Sequence, residues 1–167
     1  MKSDQYYFHQ SPIDLCKKII SDINFKEGDI VLEPFAGENN FFKNIPEGVV
    51  KHRCEIEDGL DFKNFDYEGI KPNIIITNPP FRLDGKNAFN YILNFFAQVP
   101  SIEEMYILCN HSCLSSLTPK RIKVLNDNNM YINEITICNI CKWYGRYYII
   151  KFCRYENQSF KYYLDLY

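Results

Sequence analysis

Five residues, Asn73-Ile74-Ile75-Ile76-Thr77, run directly into Asn78-Pro79-Pro80-Phe81, and no other stretch so narrows what the chain can fold into. An isoleucine-rich run of this length, with Lys71-Pro72 before it and two prolines after it, reads as a fully buried strand. Neither proline can donate to a sheet ladder, so the strand must stop, and the backbone beyond it is stiff. Open α/β sheets bind their ligands at that end of a strand. A rigid turn there presents an amide, a fixed carbonyl and an aromatic face together. The Asn78 oxygen and the Pro79 carbonyl can accept both hydrogens of a planar amino group while Phe81 stacks on the ring or amide that carries it. The bland alternative is a strand end followed by a core phenylalanine.

Strand and helix patterns alternate through the rest of the chain. Tyr6-Tyr7-Phe8-His9-Gln10-Ser11-Pro12 leads into a helix with Ser11 as N-cap, Pro12 at the first helical position and an apolar face of Ile13, Leu15, Cys16, Ile19 and Ile20. Residues 30–32 read as a short buried strand. Pro34-Phe35-Ala36-Gly37 then makes a tight turn in which backbone amides can approach a ligand closely. Residues 49–56 read as a second strand. A carboxylate at its end can hold two vicinal ribose hydroxyls, Glu55 being the first choice and Glu57 the second.

After residues 63–71, a loop or short turn of helix, and the buried strand described above, residues 82–86 are polar and read as a mobile lip. Residues 87–98 carry Phe89, Ile92, Leu93 and Phe96 at helical spacing, and residues 104–109 read as a buried strand. Residues 112–118 read as a loop, and residues 119–125 as a helix with Lys120, Arg121 and Lys123 outward. Residues 134–138 and 146–152 form an expected antiparallel pair. Its connection holds Lys142-Trp143-Tyr144-Gly145-Arg146, which suits stacking a base and touching phosphate, or equally a Trp143 that caps the core.

A chain of 167 residues is long enough for one domain with a real core, spanning residues 1–167, without a separate recognition domain. With 19 basic against 21 acidic residues it is no general coat for nucleic acid, so any such contact must be local. The available cations include Lys17, Lys18, Lys120, Arg121, Lys123, Lys142, Arg146 and Arg154. No apolar run approaches the roughly 20 residues of a membrane span, and the first residues lack a signal core. Seven cysteines, an odd number, then point to reduced thiols and a cytoplasmic location. Cys109, His111, Cys113, Cys138 and Cys141 could in principle hold zinc, but a single C-x-x-C is a weak signature and no metal is expected.

Asn-Pro-Pro-Phe at residues 78–81 resembles the catalytic motif of S-adenosylmethionine-dependent methyltransferases that modify amino groups, chiefly on adenine and also on protein glutamine. Glu33-Pro34-Phe35-Ala36-Gly37-Glu38-Asn39-Asn40-Phe41 is similar to their cofactor loop, with Asn39 where a second glycine is usual. Asparagine tolerates left-handed backbone better than most residues, so the turn can survive. Asp61-Phe62 resembles the element that accepts from the cofactor's adenine amino group and packs a ring beside it. Tyr7 with Ser11-Pro12 resembles the segment that closes over the cofactor's methionine end. The string around Trp143, with the strand after it, resembles the tail of small phage-type adenine methyltransferases.

The resemblance implies a doubly wound, Rossmann-like α/β fold with a mostly parallel sheet and an antiparallel C-terminal strand. One strand–helix unit would be trimmed away between Asp61 and Asn78. It implies Tyr7, Ser11, Glu33, Phe35, Ala36, Gly37, Glu55, Asp61, Phe62 and Asn78 around S-adenosylmethionine. Asn78, Pro79, Pro80 and Phe81 would do the chemistry, and Trp143, Tyr144 and Arg146 would face the substrate. Adenine in DNA is the expected substrate, with adenine in RNA or glutamine in a protein as alternatives. A partner subunit could supply target recognition. The reading from another class is a non-catalytic binding module on a degenerate fold.

Overall fold

The computed structural model describes residues 11–139 and 145–155, so Tyr7, Cys141, Lys142, Trp143 and Tyr144 lie outside the described residues. The first helix, α1 (Ile13–Ser21), buries Cys16, Ile19 and Ile20. Its N-cap is Pro12 rather than Ser11, because Pro12 is extended (φ −57°, ψ 132°) and its carbonyl accepts from Cys16 N at 3.0 Å. Ser11 therefore stands one residue outside the helix, and its hydroxyl is used elsewhere.

Strand β1 (Ile30–Glu33) follows, then a turn and a single 3-10 turn at Phe42–Asn44, then β2 (Val50–Arg53). The second strand is shorter than its sequence suggests. Cys54 N still donates to the Glu33 carbonyl at 2.8 Å, but Glu55 already caps the next 3-10 turn. One-turn helix α2 (Tyr67–Ile70) then precedes β3 (Ile74–Thr77), which is buried along its whole length. Burial of an isoleucine contributes about 1.5–3 kcal/mol, so Ile74-Ile75-Ile76 is a large part of what fixes this strand in the centre.

The expected lip at residues 82–86 is instead a small hairpin, β4 (Arg82–Leu83) with β5 (Lys86–Asn87). Asp84 (φ 50°) and Gly85 (φ 73°) both adopt the left-handed backbone that a tight two-residue hairpin turn requires. Asn87 caps α3 (Ala88–Ala97) through Asn90 N at 3.0 Å. Next come β6 (Glu104–Asn110), α4 (His111–Ser115), α5 (Pro119–Asp127), β7 (Tyr131–Cys138) and β8 (Tyr147–Cys153). Helix α4 replaces the loop expected at residues 112–118. It is short, and its start is fixed by the Asn110 side chain accepting from Cys113 N at 3.1 Å.

The main sheet has the order β2-β1-β3-β6-β8-β7. Its first four strands are parallel, and β8 runs antiparallel to both of its neighbours. This is the expected doubly wound, mostly parallel sheet. The chain steps from β1 outward to β2, then crosses back to β3 on the other side of β1. Among the described residues β2 is the edge, with only short turns between it and β3. The crossing makes the carboxyl ends of β1 and β3 a switch point, where such sheets bind ligands.

One face of the sheet packs Ile75, Met105, Ile107 and Phe152 against Phe89, Ile92, Phe96 and Ile122 of α3 and α5. The other packs Ile74, Ile76, Leu108 and Ile149 against Cys16, Ile19 and Ile20 of α1 and against Phe41 and Ile45. At the amino ends, Asn73 locks β1 to β3 by accepting from Ile30 N at 2.7 Å and donating to Asp29 at 2.9 Å. Arg154, expected among the cations open to substrate, serves the core. Its guanidinium donates to the carbonyls of Ile102 (2.7 Å), Asn128 (2.7 Å), Val99 (2.8 Å) and Ala97 (3.2 Å).

Candidate active site

Register sets the mouth of the site. Leu32 pairs with Ile75, so Phe35 and Asn78 leave their strands at the same level. From β1, the turn runs through Ala36, Gly37 (φ 50°) and Asn39 (φ 65°), with Asn39 N donating to the Ala36 carbonyl at 2.7 Å. Asn39 thus takes up the left-handed backbone for which glycine is the usual residue. Its side-chain oxygen is buried without a hydrogen-bond partner. A buried unsatisfied acceptor costs about 1–3 kcal/mol, which a donor on a bound ligand could offset.

Two glutamates organise this turn. Glu33, 2 % exposed, accepts from Phe42 N at 2.8 Å. Burial pushes its carboxyl up to about 8, opposed by the Phe42 N–H and the Arg53 charge and assisted by the negative charge of Glu55. Glu55 accepts from Gly37 N at 2.6 Å and from Glu57 N at 3.3 Å. The first choice for a ribose-binding carboxylate is therefore fastened to the glycine turn, whereas Glu57 is exposed on the following 3-10 turn. Glu55 also bridges Leu60, which folds Asp61 back toward the end of β2. Burial and then the Asp61 charge raise the Cys54 thiol to about 11, a sign of that proximity. Asp61 accepts from Lys63 N at 3.0 Å.

Phe62 is packed into the core beside the turn. It is 2 % exposed, and its ring lies in an aromatic cluster with Phe35 (centroids 4.9 Å), Phe95 (5.2 Å) and Phe96 (5.9 Å). The ring supports the half-buried Phe35 from beneath.

On the β3 side, the Asn78 amide nitrogen donates to the Ser11 hydroxyl at 3.1 Å. Ser11 is buried and is held in turn by the Asn40 amide, which donates to its carbonyl at 2.8 Å. This link spans 67 residues of chain. With the nitrogen committed to Ser11, the oxygen is the end turned away from it. Pro79 and Pro80 are half-buried, and Phe81 is 45 % exposed where the hairpin begins. Lys63 reaches across from the Asp61 side to pair with Asp84 of that hairpin at 2.6 Å.

Arg146 stands on the same edge, exposed, with its carbonyl accepting from His111 N at 3.1 Å at the start of α4. Cys109 and Cys113 pack on one face of the sheet and Cys138 on the other, and among the described residues no three metal-binding side chains come together. Neither the Ser11–Asn78 link nor the part played by Asn40 has a local signal in the sequence.

No protein-family model matches the sequence, and no curated protein matches it significantly. Solved structures do match. The 23S rRNA methyltransferase ErmE is similar with a TM-score of 0.57 over 90% of this chain and 71% of its own, at 12% identity. The mitomycin 7-O-methyltransferase MmcR gives 0.57 at 12% identity over 86% of this chain, which spans only 54% of that one. Precorrin-6y C5,15-methyltransferase from Geobacter metallireducens GS-15 gives 0.54 at 12% identity, over 83% of this chain and 86% of that one. The fold is that of the Rossmann-like methyltransferases.

Proposed function

We propose that this chain transfers a methyl group from S-adenosylmethionine to the exocyclic amino group of adenine in DNA. The observation that carries the reading is Asn78 at the switch point, its amide oriented by Ser11 and followed by two prolines and an exposed Phe81. The cofactor fits the opposite half of the mouth. Ala36, Gly37 and Asn39 offer a close-approach turn with an unsatisfied acceptor, and Glu55 and Asp61 offer carboxylates for hydroxyl and amino donors. When bound, S-adenosylmethionine supplies an electrophilic methyl on a sulfonium.

The rest of the work belongs to the chain. The Asn78 oxygen and the Pro79 carbonyl accept both hydrogens of the amino group, which draws its lone pair out of the ring and toward the methyl. Phe81 stacks on the extruded base and helps exclude water. The gain is chiefly one of orientation: the N–C bond would form as the S–C bond breaks to leave a neutral thioether, and the methylated nitrogen would then give one proton to water, so no prior deprotonation is needed.

Nucleoside mass spectrometry of DNA and RNA from cells expressing wild type or Asn78→Ala tests this reading. Amino-methylated adenine in DNA that disappears with Asn78→Ala is the expected result. The same signal confined to RNA would keep the chemistry and move the substrate, the second reading; ErmE, which shares the fold, is named for action on 23S rRNA. Silence in both nucleic acids would overturn the proposal in favour of a protein glutamine or a non-catalytic module.

A further inference from the structure

The carboxyl edge of the sheet is divided by charge. Along the ends of β1 and β2 stand Glu38, Glu55, Glu57 and Asp61, and Asp58 is paired with Arg53 at 2.7 Å. Beyond β3 the sign reverses, with Arg82 and Lys86 on the hairpin and Lys120 and Arg121 in the first turn of α5, all exposed. The one acid of the hairpin, Asp84, is paired with Lys63. Among the described residues, Arg82, Lys86 and Lys120 have no carboxylate within ion-pair distance. A chain of formal net charge −2 has thus gathered cations on one side of its mouth.

The elements that carry these cations are joined by one polar seam. Asn87, at the end of the hairpin, accepts from both the backbone and the side-chain nitrogen of Asn90 at 3.0 and 3.1 Å. The Asn90 amide oxygen accepts from Ser116 Oγ at 3.1 Å, and the Ser116 carbonyl accepts from Arg121. The hairpin, the start of α3 and the start of α5 are therefore tied in sequence. An open groove of about 400 Å³ lined by Asn94, Thr118, Lys120, Arg121 and Val124 continues the seam between α3 and α5.

We infer that this seam is the track for the sugar–phosphate backbone of the strand that carries the target base. The inference rests on the function proposed above. A base extruded onto Phe81 leaves its own phosphates at the hairpin, where Arg82 and Lys86 meet them, and the strand then runs toward Lys120 and Arg121. Arg82 and Lys86 project from opposite faces of the hairpin and bracket the strand, whereas the acidic half of the mouth repels it and keeps it off the cofactor side. The contacts are to phosphate, so they position the strand without reading its sequence.

Fluorescence anisotropy with labelled single-stranded DNA, and with RNA of the same sequence, tests the track. Each phosphate contact on a single strand contributes about 0.7 to the slope of log affinity against log salt. The triple variant Arg82→Gln/Lys86→Gln/Lys120→Gln should lose about 2 of that slope on both probes, with an unchanged melting temperature. Lys26→Gln/Lys71→Gln, at the amino edge of the sheet, should lose none. An unchanged slope in the triple variant, an equal loss in the control, or no binding by wild type overturns the inference. Methylated nucleosides separate the two claims. Methylation by wild type with an unchanged triple-variant slope removes the track and keeps the function, whereas slope loss without methylated adenine keeps the track and removes the function.

Discussion

Asn78 owes its orientation to a serine far away in the chain, so the two make different demands on mutation. Ser11→Ala removes the hydroxyl that accepts from the Asn78 N–H and loosens the hold on the amide. We expect kcat to fall about tenfold, the equivalent of one modest hydrogen bond, with S-adenosylmethionine affinity held. Ser11→Thr, which keeps the hydroxyl, should recover most of it. Calorimetry showing lost cofactor affinity at unchanged kcat would return Ser11 to the cofactor-contacting role implied by resemblance. Glu33 makes a separate prediction through pH. Its native carboxyl titrates at about 8, above the ordinary glutamate value, so the folded state holds a proton that the unfolded chain gives up. That contribution is fully present below about pH 4.5 and is lost as pH rises through 8, by about 5 kcal/mol at the most. Glu33→Gln keeps an acceptor for Phe42 N and should flatten that loss in urea titrations at pH 5 and about 8. The strand ends that carry Glu33 to Gly37 and Asn78 to Phe81 were legible because local spacing and turn chemistry coincide there. The Ser11–Asn78 pairing was not, since nothing local distinguishes a serine that caps a helix from one that holds an amide.

At the scale of elements, the misreadings have physical causes. Helix α4 is too short to show an apolar period, and its start is set by the Asn110 side chain. The hairpin at residues 82–87 carried its signal in Asp84-Gly85, but two-residue strands leave no alternation to read. Arg154 reads in the sequence like any other surface cation, because its four carbonyl partners come from two distant stretches of chain, residues 97–102 and residue 128. Those partners predict its weight. Helix α3, the turn into β6 and the end of α5 are all held by one planar group. Arg154→Lys keeps the charge but cannot span the same carbonyls, and should cost about 2–4 kcal/mol in urea denaturation. A loss below about 0.5 kcal/mol would mean that water replaces the guanidinium at little cost.

For the whole molecule, the alternation of patterns implied the doubly wound sheet, and the short distance from Asp61 to Asn78 anticipated that β2 is the edge among the described residues. What alternation cannot give is the lateral order of the last strands. In β6-β8-β7 the strand made last lies between two made before it. The order of synthesis on the ribosome is therefore not the order of assembly. While β7 emerges it has no neighbour to pair with, and the flank of β6 that carries Met105 and Ile107 stays open. Every residue assigned here to the methyl-transfer centre has by then been made, yet the sheet beneath it closes only when β8 slides into the gap and brings Arg154 to the carbonyls that await it. A nascent or truncated chain would hold the reactive motifs on an unfinished platform, exposed to proteases and to other unfinished copies.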